Sequence, residues 1–155
     1  MKIAILSDTH DNLTKIDRAT RIINEKKPDW VLHLGDWCAP FSVLRLGVKN
    51  LKSVLGNNDG DLLLLAKTIE SLGGELLGEF AVLEMLGKKL ALLHGQYPAM
   101  VEALATSEQF DYLLVGHTHQ KTEKRVGKTL IVNPGYDSLG LLSLKNQKLE
   151  FLRIA

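Results

Sequence analysis

Carboxylate, imidazole and amide side chains recur in this 155-residue sequence at the points where apolar runs end. Four motifs hold most of them: Asp8-Thr9-His10, Gly35-Asp36, Gly56-Asn57-Asn58-Asp59 and Gly116-His117-Thr118-His119. A fifth motif, His94-Gly95, follows the mostly apolar run 89–93, so four of the five histidines stand at the ends of predicted strands. These side-chain types are metal ligands. The pattern therefore predicts one metal site assembled from distant segments.

In two of these motifs, the spacing of the side chains allows both to bind the same metal ion. Side chains two residues apart on an extended backbone project to the same side, so Asp8 with His10, and His117 with His119, should each direct two ligands to one point. Such ligands suit Mn²⁺, Fe²⁺, Ni²⁺ or Zn²⁺ better than Ca²⁺. The set exceeds one tetrahedral site, and two ions about 3.5–4 Å apart that share one carboxylate would use it fully. Such a pair would generate a hydroxide nucleophile and clamp a phosphoryl group.

Length, composition and charge restrict the class of protein. With 45% apolar and 24% charged residues, the sequence is typical of one folded domain, predicted over residues 1–155. A net charge of +1 disfavours sequence-independent binding to nucleic acid. The single Cys38 cannot form an internal disulfide, and the N-terminal apolar stretch is too short for a signal peptide, so we expect a cytoplasmic protein. No apolar run approaches the ~20 residues of a membrane span, and no membrane partner is expected.

The order of apolar runs predicts the fold class. In the first half, strands alternate with helical patterns, as in βαβ units: strands 1–6, 30–34 and 51–55, and helices from 13 to before Pro28, at 40–46, and from Asp61 to Gly73-Gly74. In the second half, apolar runs pair around polar turns: 80–86 with 89–93, 122–126 with 129–132, and 139–144 with 148–154, with a helix at 99–106 and a strand at 112–115. There are more strands than one covered sheet would hold, which favours an α/β protein with two packed sheets and helices outside. Ligands at the carboxyl ends of strands would lie where open α/β sheets bind their ligands.

The motifs and their order resemble the calcineurin-like metallophosphoesterases, and among them the small bacterial and archaeal phosphodiesterases that are related to a retromer subunit. The likeness runs from Met1 through Asn133-Pro134-Gly135, with Asp-x-His, Gly-Asp, Gly-Asn-x-Asp, His-Gly and Gly-His-x-His in the family's order. The resemblance implies the metallo-dependent phosphatase fold. That fold is a four-layer αββα sandwich, with two mixed β-sheets flanked by helices.

The resemblance also implies two ligand sets for two divalent ions per chain. One set is Asp8, His10, Asp36 and His119. The other is Asp36, Asn57, His94 and His117, so Asp36 is the expected bridge. Mn²⁺ is the favoured ion, with Ni²⁺, Fe²⁺ and Zn²⁺ as alternatives.

Asn58 departs from the wider superfamily, in which a histidine often follows the metal-binding Asn and faces the leaving group. A neutral amide cannot protonate an alkoxide, so Asn58 is expected to position a phosphate oxygen. It would supply none of the ~10²- to 10⁴-fold that general acid catalysis gives. Tyr136 likewise stands where the family often has Ser after Asn-Pro-Gly, so the role of that Ser does not transfer.

These inferences predict a hydrolase: a divalent-metal-dependent phosphodiesterase that cleaves a small phosphodiester with a metal-bridging hydroxide. One alternative is a phosphomonoesterase or nucleotide pyrophosphohydrolase on the same site, which Asn58 disfavours. The other is a non-catalytic, retromer-like scaffold, which would not need a complete ligand set. The natural substrate and any homo-oligomer stay open.

Several residues near the motifs have a structural interpretation. His33 lies inside a predicted strand and is expected to be a hydrogen-bonded structural histidine, and Cys38 is expected to be a small buried side chain. Three aromatic residues fit a substrate pocket and ordinary packing equally well: Trp37, Tyr97 and Tyr136. A basic group alternates with Thr and Val and is expected to form an exposed strand face: Lys121, Lys124, Arg125 and Lys128.

Overall fold

The computed structural model describes residues 1–155 and contains four helices and eleven strands. The helices are α1 (Leu13–Lys26), α2 (Pro40–Leu46), α3 (Leu62–Ser71) and α4 (Pro98–Thr106). The strands are β1 (Lys2–Leu6), β2 (Trp30–His33), β3 (Leu51–Ser53), β4 (Glu75–Leu76), β5 (Phe80–Met85), β6 (Lys88–Leu93), β7 (Tyr112–Leu114), β8 (Thr122–Val126), β9 (Thr129–Asn133), β10 (Ser138–Ser143) and β11 (Lys148–Arg153). None of these helices combines the length and apolar character that spanning a bilayer requires.

The strands form two mixed sheets, as predicted. The first sheet has the order β11-β10-β1-β2-β3-β4, in which β1 to β4 are parallel, β10 is antiparallel to β1, and β11 is antiparallel to β10. The second has the order β5-β6-β7-β9-β8, in which β6, β7 and β9 are parallel and the outer strands are antiparallel. The parallel strands bring the segments that follow them to the same edge of each sheet.

Strand β1 shows how the sheets are layered. Ile3 and Ile5 belong to the apolar core between the sheets, whereas Ala4 and Leu6 belong to the core beneath α1, α2 and α3. Burial on both faces explains why this run is continuously apolar rather than alternating. A third core joins the second sheet to α4, so the protein is an αββα sandwich.

The helix ends follow local sequence signals. Asp61 caps α3 as predicted, because its side chain accepts a hydrogen bond of 3.3 Å from the Leu64 amide. Prolines occupy the first turns of α2 and α4, where a missing N–H removes no helical hydrogen bond. These two helices begin a few residues after Asp36 and His94, so their starts are anchored beside the predicted site.

The structure differs from the sequence prediction mainly in the first sheet. The two-residue strand β4 was not predicted, because a glutamate and a leucine after two glycines carry no strand pattern. Strands β2 and β3 end one and two residues earlier than expected, where Gly35 and Gly56 bring two loops into backbone contact. A Cβ atom on Gly35 would lie 2.7 Å from the Gly56 Cα, so these loops can cross only through glycine.

Candidate metal centre

The predicted ligands follow strands of both sheets. Asp8 and His10 follow β1, Asp36 follows β2, Asn57 follows β3, His94 follows β6, and His117 and His119 follow β7. These five strands are parallel within their sheets, so the loops meet at one edge of the sandwich. The topology thus places all seven predicted ligands at the same end of the molecule.

Five of these side chains bring their ligand atoms close together, in two groups of three that share Asp8: Asp8, His10 and His119, and Asp8, Asp36 and His94. The Nε2 atom of His10 lies 3.6 Å from Asp8 Oδ1, 3.5 Å from Asp36 Oδ2 and 3.2 Å from His119 Nε2. His119 Nε2 lies 3.3 Å from Asp8 Oδ1, and His94 Nε2 lies 3.3 Å from Asp36 Oδ2. Two ligands at about 2.1 Å from one ion lie about 3.0–3.4 Å apart at octahedral or tetrahedral angles, and three of these separations fall in that range while the other two exceed it slightly.

The two remaining ligands lie on the other side of His94. Asn57 Oδ1 is 3.1 Å from His117 Nδ1, and the His117 ring contacts the His94 ring edge-on with centroids 5.2 Å apart. The structure therefore brings all seven predicted residues together. They form two neighbouring groups, one around His10 and His119 and the other around His94 and His117.

Two buried atoms in this cluster have no hydrogen-bond partner: Asp8 Oδ1 and His94 Nε2. Leaving buried polar atoms unpaired is unfavourable, and such atoms indicate a missing ligand or ion. The Nδ1–H group of His94 donates to the Leu34 carbonyl at 2.7 Å, so in the neutral ring Nε2 carries the lone pair. Metal-binding histidines are usually oriented by such a second hydrogen bond. The residues fit a divalent cation.

Neighbouring groups hold both carboxylates. Asp8 Oδ2 accepts hydrogen bonds from Ser7 Oγ (2.5 Å) and the His117 amide (3.0 Å), which leaves Oδ1 free. Asp36 accepts from Asn58 twice, through the backbone amide at 2.9 Å and the side-chain amide at 2.8 Å. Burial raises the pKa of Asp36, but the His94 ring and the two Asn58 donors outweigh it and hold the pKa well below the usual carboxyl value. Asp36 is therefore ionised at neutral pH.

Five predicted ligands have a left-handed backbone. Their φ angles are 54° for Asp8, 45° for His10, 62° for Asp36, 64° for His117 and 60° for His119. The side chains do converge, but our reason for expecting it was wrong, because these segments are tight loops rather than extended strands. Such conformations cost of order 1–3 kcal/mol each in non-glycine residues. Hydrogen bonds between loops hold them, including Asp8 N–H to the Gly35 carbonyl at 3.1 Å.

Gly116 makes room for the Asp8 carboxylate. A Cβ atom at this position would overlap Ser7 Oγ and lie 2.7 Å from Asp8 Oδ2. Asn133 holds the same loop, since its side-chain amide donates to the Gly116 carbonyl at 2.7 Å and to Thr118 Oγ1 at 3.0 Å. The glycine and the asparagine of the two motifs thus position His117 and His119.

Asp59 has a supporting role that sequence reasoning missed. Its Oδ1 atom accepts hydrogen bonds from the Trp37 and Cys38 amides at 2.7 and 3.0 Å. Its Oδ2 atom accepts from the Gly56 and Asp36 amides at 2.7 and 3.0 Å. The only sequence signal was its place in the Gly-Asn-x-Asp motif. Asp59 ties the loop after β3 to the loop that carries Asp36.

We expect Asp59→Asn to destabilise the protein and lower its metal content. An amide has only one acceptor oxygen, so two backbone N–H groups lose their partner, at about 1–3 kcal/mol for each buried group. Thermal unfolding and elemental analysis measure the two effects. Asp61→Asn is the matched control, because it removes the same charge two residues away and asparagine is an equally good helix cap. Identical behaviour of the two variants would contradict this role.

His33 is a structural residue, as predicted. The Gly35 amide donates to its Nδ1 atom at 3.2 Å, so Nε2–H donates to Thr9 Oγ1 at 3.1 Å. Its ring stacks on Trp37 at 3.6 Å, and burial holds its pKa well below the usual histidine value. Trp37 itself is buried and donates to Ser53 Oγ at 2.9 Å, which assigns it to packing.

We expect His33→Gln to leave metal content and turnover nearly unchanged and to lower the free energy of unfolding by about 1–2 kcal/mol. Glutamine can replace one hydrogen bond but not the stacked ring, and a lost buried hydrogen bond has this magnitude. Denaturant unfolding, elemental analysis and a steady-state assay test the three parts. A folded variant without activity would show that His33 belongs to the reacting site.

Cys38 and the two undecided tyrosines lie at the rim. Cys38 is only partly buried, contrary to expectation, and its Sγ atom lies 3.4 Å from His10 Nδ1; burial raises the thiol pKa to about 11. Tyr97 is exposed at the start of α4. The Tyr136 ring lies 5.1 Å from the His119 ring, and the Lys15 ammonium lies 3.7 Å above it. Tyr136 is therefore part of the site's border.

Two mixed sheets between helices, with carboxylates and imidazoles clustered at the strand ends, define a phosphoesterase of the metallo-dependent phosphatase fold. The chain belongs to the calcineurin-like phosphoesterase superfamily, whose domain profile matches residues 1–148.

Individual relatives agree with this assignment. The chain is 32% identical over 138 residues to phosphodiesterase MJ0936 of Methanocaldococcus jannaschii, covering 87% of this chain and 83% of the relative. The solved structure of an archaeal phosphodiesterase superposes with a TM-score of 0.93 at 27% identity, over 99% of both chains. The structure of YfcE, a phosphoesterase from E. coli, covers 100% of both chains with a TM-score of 0.75 at 22% identity. That of vacuolar protein sorting 29 from Cryptosporidium parvum gives 0.66 at 20% identity, over 97% of this chain and 95% of the other. The last two show the shared fold alone.

Proposed function

We propose that the protein is a divalent-metal-dependent phosphodiesterase that acts on small phosphodiesters. The observation that carries the proposal is the pair of buried, unpartnered atoms, Asp8 Oδ1 and His94 Nε2, which lie 3.8 Å apart within the ring of ligands. Cations bound on the two sides of Asp36 would satisfy both, one at Asp8 Oδ1 and the other at His94 Nε2. The relationship to an archaeal phosphodiesterase supports the choice of reaction.

In this proposal two ions bind, with Mn²⁺ favoured. Asp8, His10, Asp36 and His119 hold the first, and Asp36, Asn57, His94 and His117 hold the second. The position of Asp36 Oδ2 supports its role as the bridge, because it lies 3.5 Å from His10 Nε2 on one side and 3.3 Å from His94 Nε2 on the other. Cytoplasmic location, as expected from the sequence, remains part of the proposal.

Divalent ions bound here would offset the charge of a phosphoryl group and lower the pKa of water. The side chains of the site determine where a substrate enters. Those of His10 and His119 are 33% and 46% exposed, whereas those of Asp8 and His94 are 0% exposed. A diester therefore approaches from the side of His10 and His119. Asp8 and His94 form the buried wall on the opposite side, which water does not reach.

Asn58 has two tasks in this proposal. One side-chain N–H and the backbone N–H hold Asp36, as described above. The second side-chain N–H remains for a phosphate oxygen, because an amide nitrogen has two donors. No imidazole stands at this position to protonate the leaving group. A diester with a good leaving group is therefore the better substrate, and phosphomonoesterase activity is the less favoured alternative.

A metal-reconstitution assay tests the proposal. Chelator-treated protein is reloaded with Mn²⁺, Ni²⁺, Fe²⁺ or Zn²⁺, its metal content is measured, and hydrolysis of bis(p-nitrophenyl) phosphate is compared with that of p-nitrophenyl phosphate. We expect two ions per chain, no activity without metal, and faster diester hydrolysis. A loaded protein that cleaves no diester with any of the four metals would overturn the proposal, in favour of a phosphomonoesterase if it cleaves the monoester and of a scaffold if it cleaves neither.

A further inference from the structure

A pocket of about 360 Å³ opens beside His119, on the side from which a substrate would approach. His119 forms one wall, the end of the β10–β11 hairpin with Phe151 and Arg153 forms another, and Lys121 and Asp137 complete the rim. Ligand pockets commonly have volumes of about 300–1,000 Å³. The pocket is therefore large enough for part of a substrate whose reacting phosphate sits at the metal centre.

The pocket has an excess of positive charge. Neither Lys121 nor Arg153 has a carboxylate within ion-pair distance. Asp137 is the acidic residue of the lining, and its carboxylate is paired at 2.9 Å with the ammonium of Lys15, whose side chain is only 13% exposed. The negative charge of Asp137 is thus already compensated, whereas both cations of the pocket remain available.

Lys121 also differs in position from the other residues of the basic group, Lys124, Arg125 and Lys128. Its ammonium lies 5.5 Å from the centre of the Phe151 ring, toward the pocket. Lys124 and Arg125 are exposed on β8, as predicted for a strand face, and Arg125 donates to the Lys128 carbonyl. The first lysine of the group therefore belongs to the pocket and not to the exposed face.

We propose, building on the phosphodiesterase function above, that this pocket binds a second phosphate group of the substrate. Its preferred substrates would then be phosphodiesters that carry a further phosphomonoester. A guanidinium group binds phosphate through two parallel hydrogen bonds, and an ammonium adds a point charge. The shared wall at His119 places the second phosphate close to the reacting one, so the pocket selects among diesters by their non-reacting end.

A pair of substrates that differ in one phosphate tests the pocket. The p-nitrophenyl ester of thymidine 5′-phosphate is compared with the same ester carrying a 3′-phosphate, and p-nitrophenol release reports cleavage of the diester in both. We expect kcat/KM to be at least about tenfold higher for the phosphorylated ester, since hydrogen bonds to charged groups contribute this much. This preference should disappear in Lys121→Gln/Arg153→Gln. Hydrolysis of bis(p-nitrophenyl) phosphate, which has no second phosphate, should stay unchanged.

Lys124→Gln/Arg125→Gln is the matched control, because it removes the same two charges from neighbouring β8 and should keep the preference. An equal loss in both double variants would show a general electrostatic effect and overturn the pocket, as would a wild type without preference. If no ester is cleaved with any metal, the proposed function fails and the pocket is judged by binding alone. Calorimetry with thymidine 3′,5′-diphosphate and thymidine 5′-phosphate should then show tighter binding of the diphosphate, lost in Lys121→Gln/Arg153→Gln; equal affinities would overturn the pocket.

Discussion

Asp36→Asn is expected to abolish diester hydrolysis and deplete both metal ions. The substitution keeps the shape of the side chain but removes the charge of the carboxylate that lies between His10 and His94. Loss of a residue that merely supports a ligand commonly lowers metal affinity or activity about 10- to 100-fold. We therefore expect a drop of more than about 100-fold for a ligand shared by two ions. Elemental analysis and the bis(p-nitrophenyl) phosphate assay measure the two effects.

Asp8→Asn is the matched control for this experiment. It makes the same isosteric change in a buried carboxylate, but the proposal places Asp8 in the first ligand set alone. We expect it to deplete one ion and to leave the second, on the side of His94 and His117, largely in place. Asn57→Ala should show the opposite pattern and weaken chiefly the second ion. An unchanged metal content in folded Asp36→Asn would remove the bridging role.

Asn58→His is expected to change which phosphate esters are cleaved. The wild type has no imidazole beside the leaving group, so its rate should depend steeply on leaving-group acidity, with aryl diesters faster than alkyl diesters and monoesters slower still. General acid catalysis contributes about 10²- to 10⁴-fold. A histidine here should raise monoester turnover relative to diester turnover and flatten the dependence on leaving-group pKa. Steady-state rates over a series of esters test both expectations.

Asn58→Gln is the control that the structure suggests. It lacks a proton donor of suitable pKa but disturbs the hydrogen bonds between Asn58 and Asp36 in the same way as histidine would. If both variants lower all rates, the cause is the loss of the hydrogen bonds that hold Asp36. Only a change in the ratio of monoester to diester rates indicates proton donation. A wild type that already prefers alkyl monoesters, or a histidine variant with unchanged ratios, would show that another residue supplies the proton.

The sequence was sufficient to predict the sandwich because apolar runs and ordered motifs are local patterns. Ile3 to Leu6 is apolar on every residue, which indicates a strand buried on both faces, and the motifs follow such strands. The positions of the ligands could therefore be expected before their geometry was known. The predicted hairpins also appear with their turns in the expected places, since Gly87 and Gly127 punctuate those runs.

Other features could not be predicted because they depend on contacts between distant loops. The sequence identifies Asp59 as an acidic residue beside two asparagines, but only the structure shows that it faces four backbone amides instead of a metal. Asp and His adopt left-handed backbone more often than most residues, but residue type alone does not predict it at Asp8 and His10. The pocket beside His119 likewise combines the ends of β8 and β11, which are far apart along the chain.

The left-handed backbone at five of the proposed ligands determines what the protein would gain by losing them. Glycine adopts such φ angles freely, so a glycine at His10 or His119 would relieve strain and make the metal-free fold more stable. Selection for folding alone would thus tend to erase the ligands one by one. A descendant of this chain that no longer needs the site is expected to gain folding stability as it loses these side chains. The proposed metal site and the stability of the metal-free fold thus place opposite demands on these positions.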